Sequence, residues 1–136
     1  MFRVLLVEDK RVLLRHLSFC IASAGWDCRT ASDAEVALLL VRAWRPSVAV
    51  VDLEIPASEG DYADESAGWQ LLETLGELKS SGDIVTAVVV LSAFKKPADV
   101  TPDQAGAVGT WLTKPVTCDD LRSAICDVVA PSPGRA

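Results

Sequence analysis

Short apolar runs that stop at an acid or a hydroxyl alternate along this chain with stretches of helical periodicity, and that alternation leaves few folds open. Phe2–Val7 (FRVLLV), Ser47–Val51 (SVAVV) and Ile84–Leu91 (IVTAVVVL) are short and mostly β-branched or leucine-rich, as buried strands of a parallel sheet are, and Val108–Leu112 is a further strand leading into Thr113, Lys114 and Pro115. Trp26–Ala31 is mixed and suits a strand nearer an edge. Between the first two strands, Val12, Leu13, Leu17, Cys20, Ile21 and Ala24 mark an amphipathic helix over 10–24, stopped by Gly25. Ser32 or Asp33 can cap a second helix that runs to Trp44, and Pro46 prevents its continuation. A third helix is predicted over 68–79, and a poor one over 97–106 with Pro102 inside it. The last, over 117–129, sets Leu121, Ala124, Ile125 and Val128 on one face. Five strands and five helices in alternation predict an α/β domain with a parallel sheet covered on both sides.

Right-handed crossovers put the C-terminal ends of all such strands on one rim, where ligand sites of open α/β sheets lie. Glu8 and Asp9 follow the first strand, Asp52 the third, Ser92 the fourth and Lys114 the fifth. Three carboxylates, a hydroxyl and an ammonium are therefore expected at one edge. Two carboxylates ~5 Å apart at an effective dielectric of ~20 repel by about 3 kcal/mol, so three need a counter-charge. A hard divalent cation with oxygen ligands supplies it. Singly, each residue has a plainer reading as a helix cap or a solvated strand end; their common placement makes the functional case.

The remaining composition mostly excludes. A chain of 136 residues fits one domain that needs no covalent staples. A net charge of −6 with scattered basic residues argues against nucleic acid as a direct partner. No apolar run reaches the ~18 residues of a membrane span, and MFRVLLVEDK meets charge too early for a signal peptide, so no membrane role is expected and the location is read as cytoplasmic. Cys20, Cys28, Cys118 and Cys126 form no CxxC pair, and all four are expected as reduced, small hydrophobes. His16, the one histidine, is expected to be structural or surface. No glycine-rich phosphate loop is present.

LLVED at Leu5–Asp9, VVDLEIP at Val50–Pro56, VVVLSA at Val88–Ala93 and TKP at Thr113–Pro115 keep the order, spacing and strand-end location of one known family. The chain resembles a response-regulator receiver domain of two-component signal transduction, from about Phe2 to Val129. The resemblance implies a flavodoxin-like, doubly wound sheet of order 2-1-3-4-5 with five helices, a receiver domain over 1–130 and a linker or tail over 131–136. It implies Asp52 as phosphoacceptor and Glu8 and Asp9 as holders of Mg²⁺ (or Mn²⁺), with Asp52 and the backbone carbonyl of Glu54 completing the shell. Lys114 would pair with Asp52 and then with a phosphoryl oxygen, while the Ser92 hydroxyl and the Ala93 amide would donate to others. The module would modify only its own aspartate rather than act as an enzyme on other substrates. Its phosphate would come from a histidine kinase, or in a phosphorelay from a histidine phosphotransfer protein, docked near Arg11, Val12 and Leu13. An output domain or a downstream protein would read the result.

Three departures stand out. Trp111 occupies the place where the family usually carries Tyr or Phe as a switch residue that moves with Ser92, and it equally reads as an ordinary aromatic strand residue. Glu54 and Phe94 stand two residues past the acceptor and past the hydroxyl, places that tune phosphoryl lifetime in the family, and Glu54 adds a fourth carboxylate near the pocket. The loop ASEGDYADESAG after Pro56 is extended and carries Glu59, Asp61, Asp64 and Glu65, and is read chiefly as a solvated acidic loop. Two other readings stay open: an interaction domain of the same fold that works without phosphorylation, and, less favoured, a phosphatase acting on external substrates through an aspartyl intermediate.

Overall fold

The computed structural model describes residues 2–93 and 107–129. Nine elements follow in chain order among them: β1 (Arg3–Val7), α1 (Arg11–Ser23), β2 (Asp27–Ala31), α2 (Ala34–Trp44), β3 (Val48–Asp52), α3 (Glu65–Ser80), β4 (Ala87–Ser92), β5 (Val108–Thr113) and α4 (Cys118–Val129). The strands form one parallel sheet of order β2-β1-β3-β4-β5, the order the resemblance implied. The described residues hold four helices rather than five. The weak helix expected over 97–106 and the tail over 131–136 lie outside them.

The two-residue period of a strand divides the apolar runs between two cores. Leu5, Val7, Ala49, Val51, Val88 and Val90 point to one face and pack with Ala37 and Val41 of α2 and Leu71, Leu72 and Leu75 of α3. Val4, Leu6, Val48, Val50, Val89 and Leu91 point to the other, against Leu17 and Ile21 of α1 and Leu121 and Ile125 of α4. Burial on both faces is why β1, β3 and β4 read as unbroken apolar runs while edge strand β2 reads as mixed.

Two element starts differ from expectation. α3 begins at Glu65, three residues early, because the Asp64 carboxylate accepts from the backbone N–H groups of Ser66 (2.9 Å) and Ala67 (3.3 Å) and caps the helix. β4 begins at Ala87, three residues late. Its partner β3 starts at Val48, and the carbonyl of Pro46 just before it accepts from the buried Thr86 hydroxyl at 2.8 Å, so 84–86 have no ladder to join. Ile84 instead turns into the core beneath α3.

The extended loop is pinched at its base, where Ile55 and Asp64 exchange two backbone hydrogen bonds of 3.3 Å. Pro56 and Ala57 offer their carbonyls to the N–H groups of Ala34 (2.9 Å) and Glu35 (3.0 Å), satisfying the open N-terminus of α2. Glu59, Asp61, Asp64 and Glu65 are all exposed, as a solvated acidic loop should be.

The cysteine expectation needs correcting. Cys20 of α1 and Cys118, the first residue of α4, are joined as a disulfide across 98 residues of sequence, with their Cα atoms 5.2 Å apart. The two helices pack side by side on one face of the sheet, and that packing, not any local spacing, brings the sulfurs together. Cys28 and Cys126 remain free thiols.

Candidate functional site

At the rim the backbone ladders run on past the strand ends. The N–H of Glu8 donates to the Ala31 carbonyl (3.0 Å), that of Leu53 to Leu91 (3.2 Å) and that of Lys114 to Ser92 (2.7 Å). These bonds fix the backbone at or beside each functional residue, so the side chains start from rigid points.

The expected convergence is present for four residues. Ligand oxygens of Glu8, Asp9 and Asp52 all lie within 4.8 Å of one another. The Lys114 ammonium stands between two of them, 2.7 Å from Asp52 Oδ2 and 3.4 Å from Glu8 Oε2. The other oxygens of this pair are held by backbone: Asp52 Oδ1 accepts from the Glu54 N–H (3.1 Å) and Glu8 Oε1 from the Lys10 N–H (3.1 Å). Glu8 is 0% exposed and Asp52 2%. Burial, followed by the hydrogen bond and the charge of Asp52, pushes the Glu8 carboxyl up to about 7. Burial also works against the Lys114 ammonium, but its bond to Asp52 and the charges of Asp52 and Glu8 outweigh it and hold it above the usual lysine value.

One atom of the cluster has no partner among the described residues: Asp9 Oδ1 is buried and accepts no hydrogen bond from them. Leaving such an oxygen unpaired costs about 1–3 kcal/mol. Three carboxylates facing one ammonium, with a buried oxygen still unserved, fit a hard divalent cation such as Mg²⁺ or Mn²⁺.

The remaining expected residues are spread more widely. Ser92 is buried at the end of β4, in register with Thr113. Ala93 is exposed and shares with Lys114 the lining of a cavity of about 570 Å³. The side chain of Glu54 is exposed and stands outside the three gathered acids. The residue binds the site through its backbone N–H instead. Phe94 lies outside the described residues. Trp111 is half-buried in β5, its ring centroid 5.8 Å from that of Trp69 in α3. Trp69 had no sequence signal of its own, since only the fold sets it beside Trp111.

A family model described as the response regulator receiver domain matches residues 4–126. The chain belongs to that family. Among curated relatives, this receiver domain is 26% identical over 136 residues to the virulence transcriptional regulatory protein PhoP of Salmonella typhi, covering all of this chain and 55% of that protein. It is 27% identical over 119 residues to the transcriptional regulatory protein TrcR of Mycobacterium tuberculosis, covering 88% of this chain and 42% of that one. The chain thus spans about half the length of these relatives. Among solved structures it overlays on a CheY-like receiver domain protein from Methanospirillum hungatei with a TM-score of 0.79, at 17% identity over 100% of this chain and 99% of that chain. The chemotaxis response regulator CheY4 of Vibrio cholerae gives 0.76 at 22% identity, covering 94% and 98%. These overlays establish the fold. Receiver domains are signalling modules, and no helix among the described residues is long and apolar enough to cross a membrane.

Proposed function

We infer that this receiver domain accepts a phosphoryl group on Asp52 from a histidine kinase or a histidine phosphotransfer protein and changes its partner surface in response. One observation carries the reading. A carboxylate at a strand end is gripped by an ammonium on one oxygen and an amide on the other, beside two more acids of which one keeps a buried oxygen unserved. A merely structural ion pair has no need of the extra acids, whose burial costs stability.

The chemistry is attack of an Asp52 oxygen on phosphorus as the phosphorus–nitrogen bond of a phosphohistidine breaks, with the imidazole leaving. Glu8, Asp9, Asp52 and the Glu54 carbonyl would hold Mg²⁺ or Mn²⁺, which when bound neutralises charge on the phosphoryl oxygens. Lys114 exchanges its place on Asp52 for a phosphoryl oxygen, and the Ser92 hydroxyl and the Ala93 amide donate to others. Their contribution is positioning and charge neutralisation, the bulk of phosphoryl-transfer catalysis. The donor would dock around Arg11, Val12 and Leu13, where Val12 is 84% exposed. Ser92 and Trp111 would carry the change outward, with Glu54 and Phe94 setting how long the phosphate lasts. We take 1–130 as the domain, 131–136 as a linker or tail, the cytoplasm as its compartment, and an output domain or separate protein as its reader.

Incubation with Mg²⁺ and acetyl phosphate, followed by intact-mass measurement, tests this. A single phosphate adduct is expected on the parent chain and none on Asp52→Asn. No adduct, or one that persists in Asp52→Asn, returns the chain to a phosphorylation-independent interaction domain.

A further inference from the structure

The acid pocket makes no use of a second cluster of reactive groups, set between α1 and the start of α4. Atoms of His16, Cys20 and Cys118 lie within 4.8 Å of one another, with the His16 Nε2 3.9 Å from Cys20 Sγ. Cys20 is buried, Cys118 half-buried and His16 exposed, so the cluster is open to solvent on the side of Cys118 and the imidazole. The cysteines' Cα separation of 5.2 Å lies within the range that a disulfide spans without moving the backbone.

We propose that Cys20, Cys118 and His16 form a reversible thiol–disulfide exchange site that takes small-molecule thiols as its co-substrate.

Both sulfurs have something to stabilise the thiolate that leaves. A thiolate of the external reductant attacks the accessible Cys118 Sγ, the Cys20–Cys118 bond breaks, and Cys20 leaves as a thiolate beside the His16 imidazole. A second external thiolate attacks the external sulfur of the mixed disulfide, and Cys118 leaves at the N-terminus of a twelve-residue helix, where free N–H groups favour negative charge. Asp119 and Asp120 in that first turn oppose this, but Asp119 pairs with Arg122 at 3.4 Å and Asp120 is turned toward the Thr117 N–H at 3.5 Å. In sum two external thiols become one external disulfide, and their two electrons and two protons reduce the protein pair. The free Cys28 has the opposite character: burial pushes its thiol up to about 11, which leaves little thiolate for exchange at neutral pH. The crosslink ties α1 to the first residue of α4, just past the loop that begins at Lys114, so its state sets how freely the two helices move past each other. His16 also lines a cavity shared with Lys114, Leu13 and Val116, so the imidazole side of the cluster borders open space.

The test is equilibration of the full chain in glutathione buffers of varied reduced-to-oxidised ratio, acid quench, unfolding, alkylation with iodoacetamide and intact mass. Two labels, on Cys28 and Cys126, are expected at the oxidising end and all four cysteines labelled at the reducing end, with a midpoint inside the glutathione range. Peptide mapping should find Cys20 linked to Cys118, and Cys118→Ser should show three labels at every ratio. His16→Ala should reach the same end points several-fold more slowly, and an unchanged rate removes the histidine from the site. Four labels at every ratio, or a crosslink that resists excess reduced glutathione, overturns the proposal. So does one Zn²⁺ ion retained per reduced chain in native mass spectrometry with no disulfide formed, which would make the cluster a metal site.

Discussion

The two halves of the rim are built to different standards. On the β1/β3 side, two strands buried along nearly their whole length end in Glu8 and Asp52, and both acids have each oxygen held by a backbone amide or by Lys114. On the β4/β5 side, edge strand β5 is half-buried, its register with β4 slips between Val88 and Val89, and its large side chain Trp111 is only partly buried, packed with another indole at the border of the core. A central strand gives fixed geometry, which charge chemistry requires; an edge strand can shift at lower cost, which a readout requires. The proposed division of labour, acceptance at the centre and transmission at the edge, follows from strand position.

The sharpest way to break the fixed half is through its backing rather than its acids. Gly68 of α3 lies so close to the backbone of Leu53, next to Asp52, that an added Cβ would overlap the Leu53 carbonyl. Gly68→Ala should therefore displace α3 from the Asp52 loop and cost about 3 kcal/mol in chemical denaturation. A loss under ~1 kcal/mol would mean that the loop behind Asp52 yields easily, contrary to the comparison.

Lys114→Met removes the ammonium from Asp52 and Glu8 and leaves two buried carboxylates facing each other. Breaking a fully buried pair costs roughly 3–5 kcal/mol, and Lys114 is itself partly exposed, so about 2 kcal/mol is expected without Mg²⁺. Added Mg²⁺ should recover much of that loss. If the ion does nothing, the acids are not a metal site.

Stability against pH sharpens the same point. The Glu8 carboxyl is raised from 4.5 to about 7 in the folded chain, chiefly by burial, so folding favours its protonated form. Its contribution is fully present below pH 4.5 and is lost as pH rises through about 7. Thermal melts without metal should show this decline for the parent chain and not for Glu8→Gln. Mg²⁺ should stabilise more at the upper end of the window, because it binds the ionised carboxylate. A metal effect that does not grow with pH would detach Glu8 from the ion.

The smallest effect belongs to the edge. Trp111→Phe keeps an aromatic ring but trims its contact with Trp69, for an expected loss of about 1 kcal/mol. Its use lies in fluorescence. If the β5 edge transmits phosphorylation, the parent chain's emission should change on treatment with acetyl phosphate and that of Trp111→Phe should change much less. Equal responses would place the readout elsewhere.

How much of this the sequence carried follows the same division. The acids of β1 and β3 were legible because a buried parallel strand leaves an unbroken apolar run, and the run's end marks the rim. Lys114 was legible for the same reason at β5. The α3 start was hidden because Asp61, Asp64 and Glu65 crowd one stretch, and only the geometry selects Asp64 as the cap. The late start of β4 was hidden too, since IVTAVVVL is equally β-prone throughout and the limit is set by where the neighbouring strand begins, just past Pro46. Glu54 shows the limit of proximity in sequence: two residues from Asp52, its backbone N–H bonds the Asp52 carboxylate while its side chain is exposed. The Cys20–Cys118 pair left no trace, because a contact between helices has no period to read.

The acidic loop is attached by its main chain, through the Pro56 and Ala57 carbonyls on α2 and the Ile55–Asp64 bridge, while Tyr62 at its outer side is 95% exposed. Segments anchored in this way tolerate exchange of their outward side chains at little energetic cost. Glu59 and Tyr62, both exposed, therefore offer places to attach a dye on the loop that follows Asp52, turning the domain into a reporter of its own state while the acids and Lys114 stay as they are.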